Sequence, residues 1–352
     1  MHDIAHEMTD KEIEKLEKKI RAVYRQAGKE INEKMNAFLL DFKKKDKLWQ
    51  AQVKSGLKTQ EEYDDWKRRQ IFRGNRWAEK KKDIAETLYN ANTVATDILN
   101  GTTPKVYALN SDYIAYELET QAGVNFGFTA HSARFNVYDS ALVGELIKTE
   151  PKGTQYVKML PPPTVESLKR KVNKGKDIAW NSKLITRQVT QGIIQGESID
   201  KIAKRLAKVT SSSNFKDMTK YARTMVTCAQ NTGREQRMKE AQAKGIELQK
   251  QWLAVHDMRT RYTHAVLDGQ IQDIDKPFKV DGYEIMKPAD PTAHPSLVYN
   301  CRCTMRSVLK GYPREYEPYS LMGIKAQDMT FEEWQEMKRD IKRMEGKNAR
   351  KQ

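Results

Sequence analysis

Cysteine is scarce in this chain of 352 residues, and no apolar run reaches the roughly 18 residues that a membrane-spanning helix needs. Three cysteines cannot build the framework of a disulfide-rich secreted domain, so we expect a reducing compartment. The first residues lack the basic and then apolar pattern of a signal peptide. Secreted, membrane-embedded and disulfide-stabilised proteins are therefore not expected.

Apolar residues make up only 38% of the chain, whereas charged residues make up 31%. This balance favours long helices with much exposed surface over a compact globule. The sequence also lacks a Walker loop, the Gly-x-Ser-x-Gly motif of hydrolases and the Gly-x-Gly-x-x-Gly motif of dinucleotide-binding folds. We therefore expect no enzymatic activity.

Positive charge is what the sequence has in excess. The net charge is +16, and the segment 161–250 holds 13 Lys and 6 Arg against 3 Asp and 5 Glu, a net of +11. Such a region predicts contact with a polyanion without identifying it, and contact of its basic cluster with DNA phosphates is one interpretation. A solvated helix face is the alternative. The candidate DNA contacts cluster around a glycine: Lys169, Arg170, Lys171, Lys174 and Lys176.

The first 100 residues predict a long helical arm. Thr9 and Glu12 have the spacing of a capping box, and from Ile13 to Phe42 apolar residues recur every three or four positions. A stripe this narrow either packs within its own domain or docks on another protein.

A second helical tract follows Thr59, where Glu62 completes another capping box. It interleaves Trp66 and Trp77 with arginines. Aromatic residues at helical spacing are typical of a core, and a nucleic-acid stacking platform is the alternative.

The middle of the chain predicts a change of structure. Pro104 is expected to end the helix, the aromatic segment Asn125–Tyr138 predicts one or two strands, and Pro161–Pro163 marks a boundary. Helices are then expected around Ile185, from the N-cap Ser198, and from Lys216 to Gly245, with a loop at Ser211–Asn214.

The segment from Lys250 to Thr304 is rich in turns and predicts a small α+β unit. Such a unit buries little apolar area, so a bound metal ion would add to its stability. Cys301 and Cys303 lie two apart, so their thiolates share a face on an extended strand. With His264 they predict a structural zinc site, and packed thiols are the alternative. The possible fourth ligands are His256, Asp257 and His294.

This C-terminal constellation resembles the phage head morphogenesis domain of Mu F-like minor head proteins. Gln195–Ile199 and Ala222–Thr224 are similar to its helical lead-in, and the resemblance covers residues 163–309. The motif residues, for which a structural role is expected, are Trp252, Asp257, Arg259, Arg261, His264, Asp268, Gly269, Pro288, Asp290, Asn300, Cys301 and Cys303.

The resemblance implies a structural minor capsid protein at the portal vertex of the virion head, assembled in the host bacterial cytoplasm. Its implied partners are the portal protein, the major capsid or scaffold protein, and DNA. Some relatives carry a toxin domain after this module, for which the segment 310–352 is too short. A metal-dependent nucleic-acid-processing enzyme and a generic DNA-binding protein remain as alternatives.

The expected fold class is α+β and predominantly helical, with four regions. These are a helical arm (1–100), a mixed α/β connecting region (101–163), the Mu F-like domain with its central helical bundle and turn-rich unit (164–310), and a helical tail (311–352).

Overall fold

The computed structural model describes residues 3–126, 170–243, 245–310, 320–321 and 324–325. Long helices dominate and a small antiparallel sheet lies near the C-terminal end, so the predicted fold class is confirmed. The helices are α1 (Ile4–Leu39), α2 (Lys43–Lys54), α3 (Gln60–Trp66), α4 (Gly74–Phe126), α5 (Lys174–Ile194), α6 (Ile199–Ala243), α7 (Tyr262–Leu267) and α8 (Pro295–Val298). The strands are β1 (Leu248–Leu253), β2 (Ile271–Asp273), β3 (Phe278–Val280), β4 (Tyr283–Ile285), β5 (Thr304–Leu309), β6 (Ser320–Leu321) and β7 (Ile324–Lys325).

The apolar stripe of α1 packs inside the molecule. Leu16, Ile20 and Ile31 are at most 1% exposed and lie in core clusters shared with α4 and α6. Burying each such side chain contributes about 1.5–3 kcal/mol. The stripe is therefore the core of a bundle of α1, α4, α5 and α6, which confirms packing within its own domain.

The start of α1 differs from the prediction. Asp3 is the N-cap and its carboxylate accepts a hydrogen bond from the His6 backbone N–H at 2.9 Å, so the helix begins before Thr9. The Thr9 hydroxyl instead donates to the Ala5 carbonyl at 2.8 Å. The capping box predicted at Thr9 is thus wrong, because an earlier carboxylate satisfies the free amides. The box predicted at Thr59 and Glu62 is confirmed.

Pro104 lies inside α4 and does not end it. An internal proline removes one backbone hydrogen bond and costs about 3 kcal/mol in an isolated helix. Here Leu99, Thr103 and Val106 are at most 1% exposed, so tertiary packing of the flanking turns outweighs that cost. The predicted helix break is therefore wrong, since the helix continues to Phe126.

The loop predicted at Ser211–Asn214 is also wrong, since α6 runs through it without interruption. The polar side chains bond back to the preceding turn: the Ser211 hydroxyl donates to the Ala207 carbonyl at 2.6 Å, and Asn214 Nδ2 donates to the Thr210 carbonyl at 2.9 Å. Asn214 also donates to Asn181 of α5 at 3.1 Å. Tertiary partners thus keep a turn-like sequence helical.

The aromatic tract after Thr59 belongs to the core. Trp77 is 7% exposed and Trp66 packs against the same apolar cluster. Arg76 of this tract pairs with Asp41 at 2.7 Å, and Arg69 pairs with Asp65 at 2.9 Å. The core interpretation is confirmed.

The small unit after α6 is built on a three-stranded antiparallel sheet in the order β2-β1-β5. Trp252 of β1 pairs with Met305 of β5, and Leu253 pairs with Thr304. Met305 and Leu248 join an apolar cluster with Met238 of α6, which seats the sheet on the end of the bundle. The strands β3 and β4 form a separate hairpin beside α7.

Some predictions fall outside the described residues: the strands expected beyond residue 126, the boundary at Pro161–Pro163, and a basic helix expected from about Thr330. Among the residues that are described, no helix combines the length and apolar character needed to cross a membrane.

Candidate metal centre

The three predicted metal ligands come together from distant parts of the sequence. His264 projects from α7, while Cys301 and Cys303 lie in the segment between α8 and β5. His264 Nδ1 lies 3.2 Å from Cys303 Sγ and 3.7 Å from Cys301 Sγ. All three side chains are at most 3% exposed, and their donor atoms lie within 4.8 Å of one another.

These distances fit a tetrahedral metal ion. Metal–sulfur bonds of about 2.3 Å and metal–nitrogen bonds of about 2.0 Å place sulfur and nitrogen about 3.5 Å apart. The second ring nitrogen of His264 is buried without a hydrogen-bond partner, so Nδ1 is the atom turned toward the sulfurs. The cluster can therefore hold one metal ion.

The two thiols have opposite pKa shifts. Burial raises the pKa of each, but at Cys301 a hydrogen bond with Cys303 and the neighbouring His264 outweigh burial and hold the pKa well below its usual range. At Cys303 burial and the adjacent Cys301 sulfur raise the pKa well above its usual range. The centre thus favours one thiolate, which is the form that binds metal.

The possible fourth ligands are engaged elsewhere. His256 Nε2 lies 3.1 Å from Asp268, and the ring of His294 bonds Ser296. Both carboxylate oxygens of Asp257 accept from Arg302 at 2.6 and 2.7 Å, which together with further hydrogen bonds lowers the pKa of Asp257. Within the described residues, the cluster therefore has three protein ligands.

Helix α6 holds the cysteine segment through a row of polar side chains. Thr227 donates to the Cys301 carbonyl at 2.9 Å, and Asn231 donates to the Cys303 carbonyl at 3.2 Å. Thr224 accepts from the Asn300 backbone N–H at 3.2 Å, where a φ of 52° turns the chain. Sequence reasoning missed this row, although the spacing of 224, 227 and 231 on one helix face was a usable signal.

Other motif residues shape the turns around the centre. Asp268 is fully buried and accepts from the Ala254 backbone N–H at 2.6 Å, while Gly269, at a φ of 80°, donates to the Trp252 carbonyl at 2.9 Å. The Trp252 ring is fully buried and meets the His264 ring edge-on, with centroids 5.7 Å apart. These contacts fix the position of α7 relative to β1.

Asp290 builds the turn beyond β4, where it accepts from the Met286 backbone at 3.1 Å and from the Thr292 backbone at 3.0 Å, next to the buried Pro288. Arg259 and Arg261 instead line a pocket that reaches the three ligands. The motif thus contributes both turns and a basic pocket wall.

The predicted DNA cluster is divided by the structure. Arg170 is 6% exposed and donates to Thr96 at 3.1 Å, so it is a core residue and cannot reach a phosphate. Lys169 lies outside the described residues. Lys171, Lys174 and Lys176 are exposed at and before the start of α5.

Two helices extend this basic surface in a way that sequence reasoning missed. On α5 the exposed residues Lys176, Lys183 and Arg187 share one face, and on α6 the exposed residues Lys201, Lys204 and Lys208 do the same. Within the described part of the chain, Lys183, Arg187, Lys204 and Lys208 form no ion pair. We call these six residues the lysine ladder; its helical spacing was visible in the sequence.

Comparisons with known proteins agree with the motif. Residues 183–306 match the family model described as Phage Mu protein F like protein. The chain is 28% identical over 301 residues to minor head protein GP7 of Bacillus phage SPP1, a match that covers 85% of this chain and 87% of that protein.

A second relative shares a shorter region. The chain is 30% identical over 150 residues to NAD(+)–arginine ADP-ribosyltransferase EFV of Enterococcus faecalis, which covers 43% of this chain but only 30% of the transferase. The chain thus spans less than a third of that relative. No solved structure matches. The family match lies within the predicted region 163–309, so residues 183–306 are similar to the Phage Mu protein F like family and confirm the resemblance expected from the sequence motif.

Proposed function

We propose that this protein is a structural minor capsid protein that acts in the assembly of a tailed-phage head. The observation that carries the proposal is the similarity to a minor head protein over 87% of that protein's length, together with the family match at residues 183–306. In this proposal the protein resides in the virion head near the portal vertex and is assembled in the cytoplasm of the bacterial host.

A structural role also agrees with the chemistry of the motif. Asp257 is held by Arg302 and His256 lies against Asp268, so groups that a metal-dependent nuclease would use are engaged in internal contacts. The match to the transferase covers 30% of that protein, so its activity is not carried over. The nucleic-acid-processing alternative predicts metal-dependent DNA cleavage that Asp257→Ala abolishes, and the structural proposal predicts no cleavage.

The proposed partner is the portal protein, with the major capsid or scaffold protein as a further contact. Co-expression with the portal protein of the same phage, affinity capture and sizing test this directly. A stable complex supports the proposal. Absence of a complex, together with tight salt-sensitive DNA binding, would favour an internal DNA-associated protein.

We also propose that the lysine ladder contacts double-stranded DNA. Along α5, Lys176, Lys183 and Arg187 are spaced by about 10 and 6 Å at the helical rise of 1.5 Å per residue. Phosphates follow one another at a comparable scale along a duplex, and each neutralised phosphate releases counterions. Contacts of this kind bind any sequence, as a head protein beside packaged DNA requires.

Neutralising Lys183, Arg187 and Lys204 to Gln is expected to weaken DNA binding and flatten its salt dependence. The slope of log K against log salt should fall by about 0.9 for each lost phosphate contact. Fluorescence anisotropy with a labelled duplex at several salt concentrations measures both quantities. Lys276→Gln, on an exposed bend of the small unit, and Lys279→Gln, on the exposed face of β3, serve as controls. An unchanged slope would mean that the ladder is only a solvated face.

The proposed cofactor is one zinc ion at the centre formed by His264, Cys301 and Cys303. Two thiolates and an imidazole are the donor set that zinc prefers, and the spacing of the donor atoms suits a tetrahedral ion. The ion has a structural role, since it ties α7 to the segment that precedes β5. A turn-rich unit with a small core gains most from such a link.

A further inference from the structure

The metal centre has one coordination position that no described residue fills. The chain contains three cysteines, and the third, Cys228, lies on α6 with its sulfur 3.8 Å from the Thr232 hydroxyl. The acidic candidate expected from the sequence, Asp257, has both oxygens on Arg302. Three protein ligands are typical of zinc sites that keep an open position, whereas purely structural sites are closed by four.

The two sides of the centre differ in character. On the buried side, Cys301 and Cys303 belong to an apolar cluster with Trp252, Leu267 and Ala229. These side chains supply no donor atom suited to zinc. On the other side lies the pocket that all three ligands line, and its wall includes Arg259, Arg261 and Asn300. The open position is therefore reached through this pocket.

The positive charge of Arg259 and Arg261 favours an anion as the ligand that enters the pocket. Zinc with two thiolates and a neutral imidazole has no net charge, so an anion as fourth ligand makes the complex negative. The side chain of Arg259 is 76% exposed and Arg261 is partly exposed, and both guanidiniums stay positive at any physiological pH. Their attraction stabilises an anionic ligand more than a neutral one.

We propose that His264, Cys301 and Cys303 form an open three-ligand zinc centre that accepts an anionic ligand from outside the chain through the pocket walled by Arg259 and Arg261. Water occupies the position in the absence of the anion. The inference rests on the zinc cofactor proposed above and does not depend on the role in the phage head.

Cobalt substitution of the full-length protein tests the open position. Co²⁺ replaces zinc in tetrahedral sites and its visible absorption reports the ligands directly, so azide serves as the anionic probe. We expect one Co²⁺ per chain, and a saturable change of the visible bands as azide is added. A spectrum that stays constant under azide would overturn the open position while leaving the zinc proposal intact. Failure to bind Co²⁺ or Zn²⁺ at all would overturn both.

The role of the pocket wall is tested with Arg259→Gln and Arg261→Gln. Each variant should raise the dissociation constant for azide several-fold while leaving the affinity for Co²⁺ unchanged, because neither residue is a ligand. Lys276→Gln removes a positive charge from the same unit outside the pocket and should change neither value. An unchanged azide affinity in both arginine variants would overturn the selection of anions by the wall.

Discussion

Single residues decide what the centre can bind, as the two cysteines Cys228 and Cys301 demonstrate. Both are buried in the same apolar cluster, and both are fully or almost fully inaccessible to solvent. Burial raises the pKa of Cys228 to about 11, whereas the pKa of Cys301 is well below its usual range because Cys303 and His264 lie beside it. The neighbouring groups, and not burial, thus distinguish the packing thiol Cys228 from the candidate metal ligand Cys301.

Cys301→Ser is expected to abolish stoichiometric zinc binding and to lower the melting temperature of the zinc-loaded protein. Serine oxygen is a poor zinc ligand, and the loss leaves two protein ligands. Metal analysis and thermal melting of the purified chain measure both effects.

The matched control is Cys228→Ser, which also replaces a buried sulfur but leaves the three ligands in place. It should lose some stability from burying a hydroxyl, yet retain one zinc ion per chain. Equal zinc content in the two variants would contradict the assignment of the ligands.

Sequence reasoning named His264, Cys301 and Cys303 from residue type and spacing, and the structure brings these three side chains together as candidate metal ligands. Sequence reasoning could not exclude His256, Asp257 and His294, because their engagement with Asp268, Arg302 and Ser296 depends on tertiary distances. Arg170 was misplaced for the same reason. Its described neighbour Lys171 is exposed, while its own side chain turns inward to Thr96.

At the scale of elements, helices α4 and α6 approach each other closely at Gly233. A Cβ atom built there would lie 2.4 Å from the Tyr107 carbonyl oxygen, which is backbone and cannot turn away. The glycine therefore sets how near the two longest helices approach.

Gly233→Ala is expected to destabilise the protein by about 1–3 kcal/mol, since the helices must separate to admit a methyl group. Urea denaturation followed by circular dichroism measures the free energy of unfolding. Gly101→Ala on α4 is the control: no atom lies within 4 Å of its Cβ, and the change should stabilise by about 0.5–1 kcal/mol. A Gly233 variant as stable as the control would contradict the tight crossing.

The errors in predicting elements share a cause. Pro104 and the segment Ser211–Asn214 have local preferences against helix, and both lie in the middle of long helices whose flanks are buried. The local preference of such residues against helix costs a few kcal/mol of stability at most. Burial of a single Leu or Ile side chain contributes a similar amount, so a few buried residues on the flanks outweigh it. A pattern read along the chain does not reveal how many such residues are buried on either side.

For the molecule as a whole, one guanidinium joins the bundle to the small unit. Arg234 of α6 is fully buried and donates to Asp3 at 2.7 and 2.8 Å, to Asn110 of α4 at 2.9 Å and to the Met305 carbonyl of β5 at 3.0 Å. Burial alone would raise the pKa of Asp3, but Arg234 outweighs burial and lowers it. The start of α1 and the strand β5 are thus linked through the buried Arg234 guanidinium and its charge pair with Asp3.

Asp3→Asn is expected to lower the free energy of unfolding at pH 7 by about 3 kcal/mol, since it leaves a buried guanidinium without its counter-charge. Asparagine keeps the N-cap, so the change isolates the charge. Because the pKa of Asp3 is lowered in the fold, its contribution is complete above the ordinary value of 3.8 and is lost as the pH falls through the lowered value. The difference in the free energy of unfolding between the variant and the wild type should therefore disappear below about pH 4.

Urea denaturation at a series of pH values measures this difference. Asp10→Asn, an exposed carboxylate on the same helix, is the control and should behave like wild type throughout. Stability curves for Asp3→Asn and wild type that stay parallel down to pH 2 would contradict the role of the pair.

The sequence by itself determined the helical character, the basic middle region, the three candidate metal ligands and the family motif. Each of these features depends only on residue types and on their spacing along the chain. Spacing predicts helices through the helical repeat, and residue type predicts metal ligands through their chemistry. Tertiary structure alone decided that the N-terminal stripe is core, that Pro104 lies within a helix, that Arg170 is buried and that, among the described residues, three side chains come together as candidate metal ligands. These outcomes depend on which atoms lie within a few ångströms after folding, and contacts such as Asp3 to Arg234 join residues far apart in the chain.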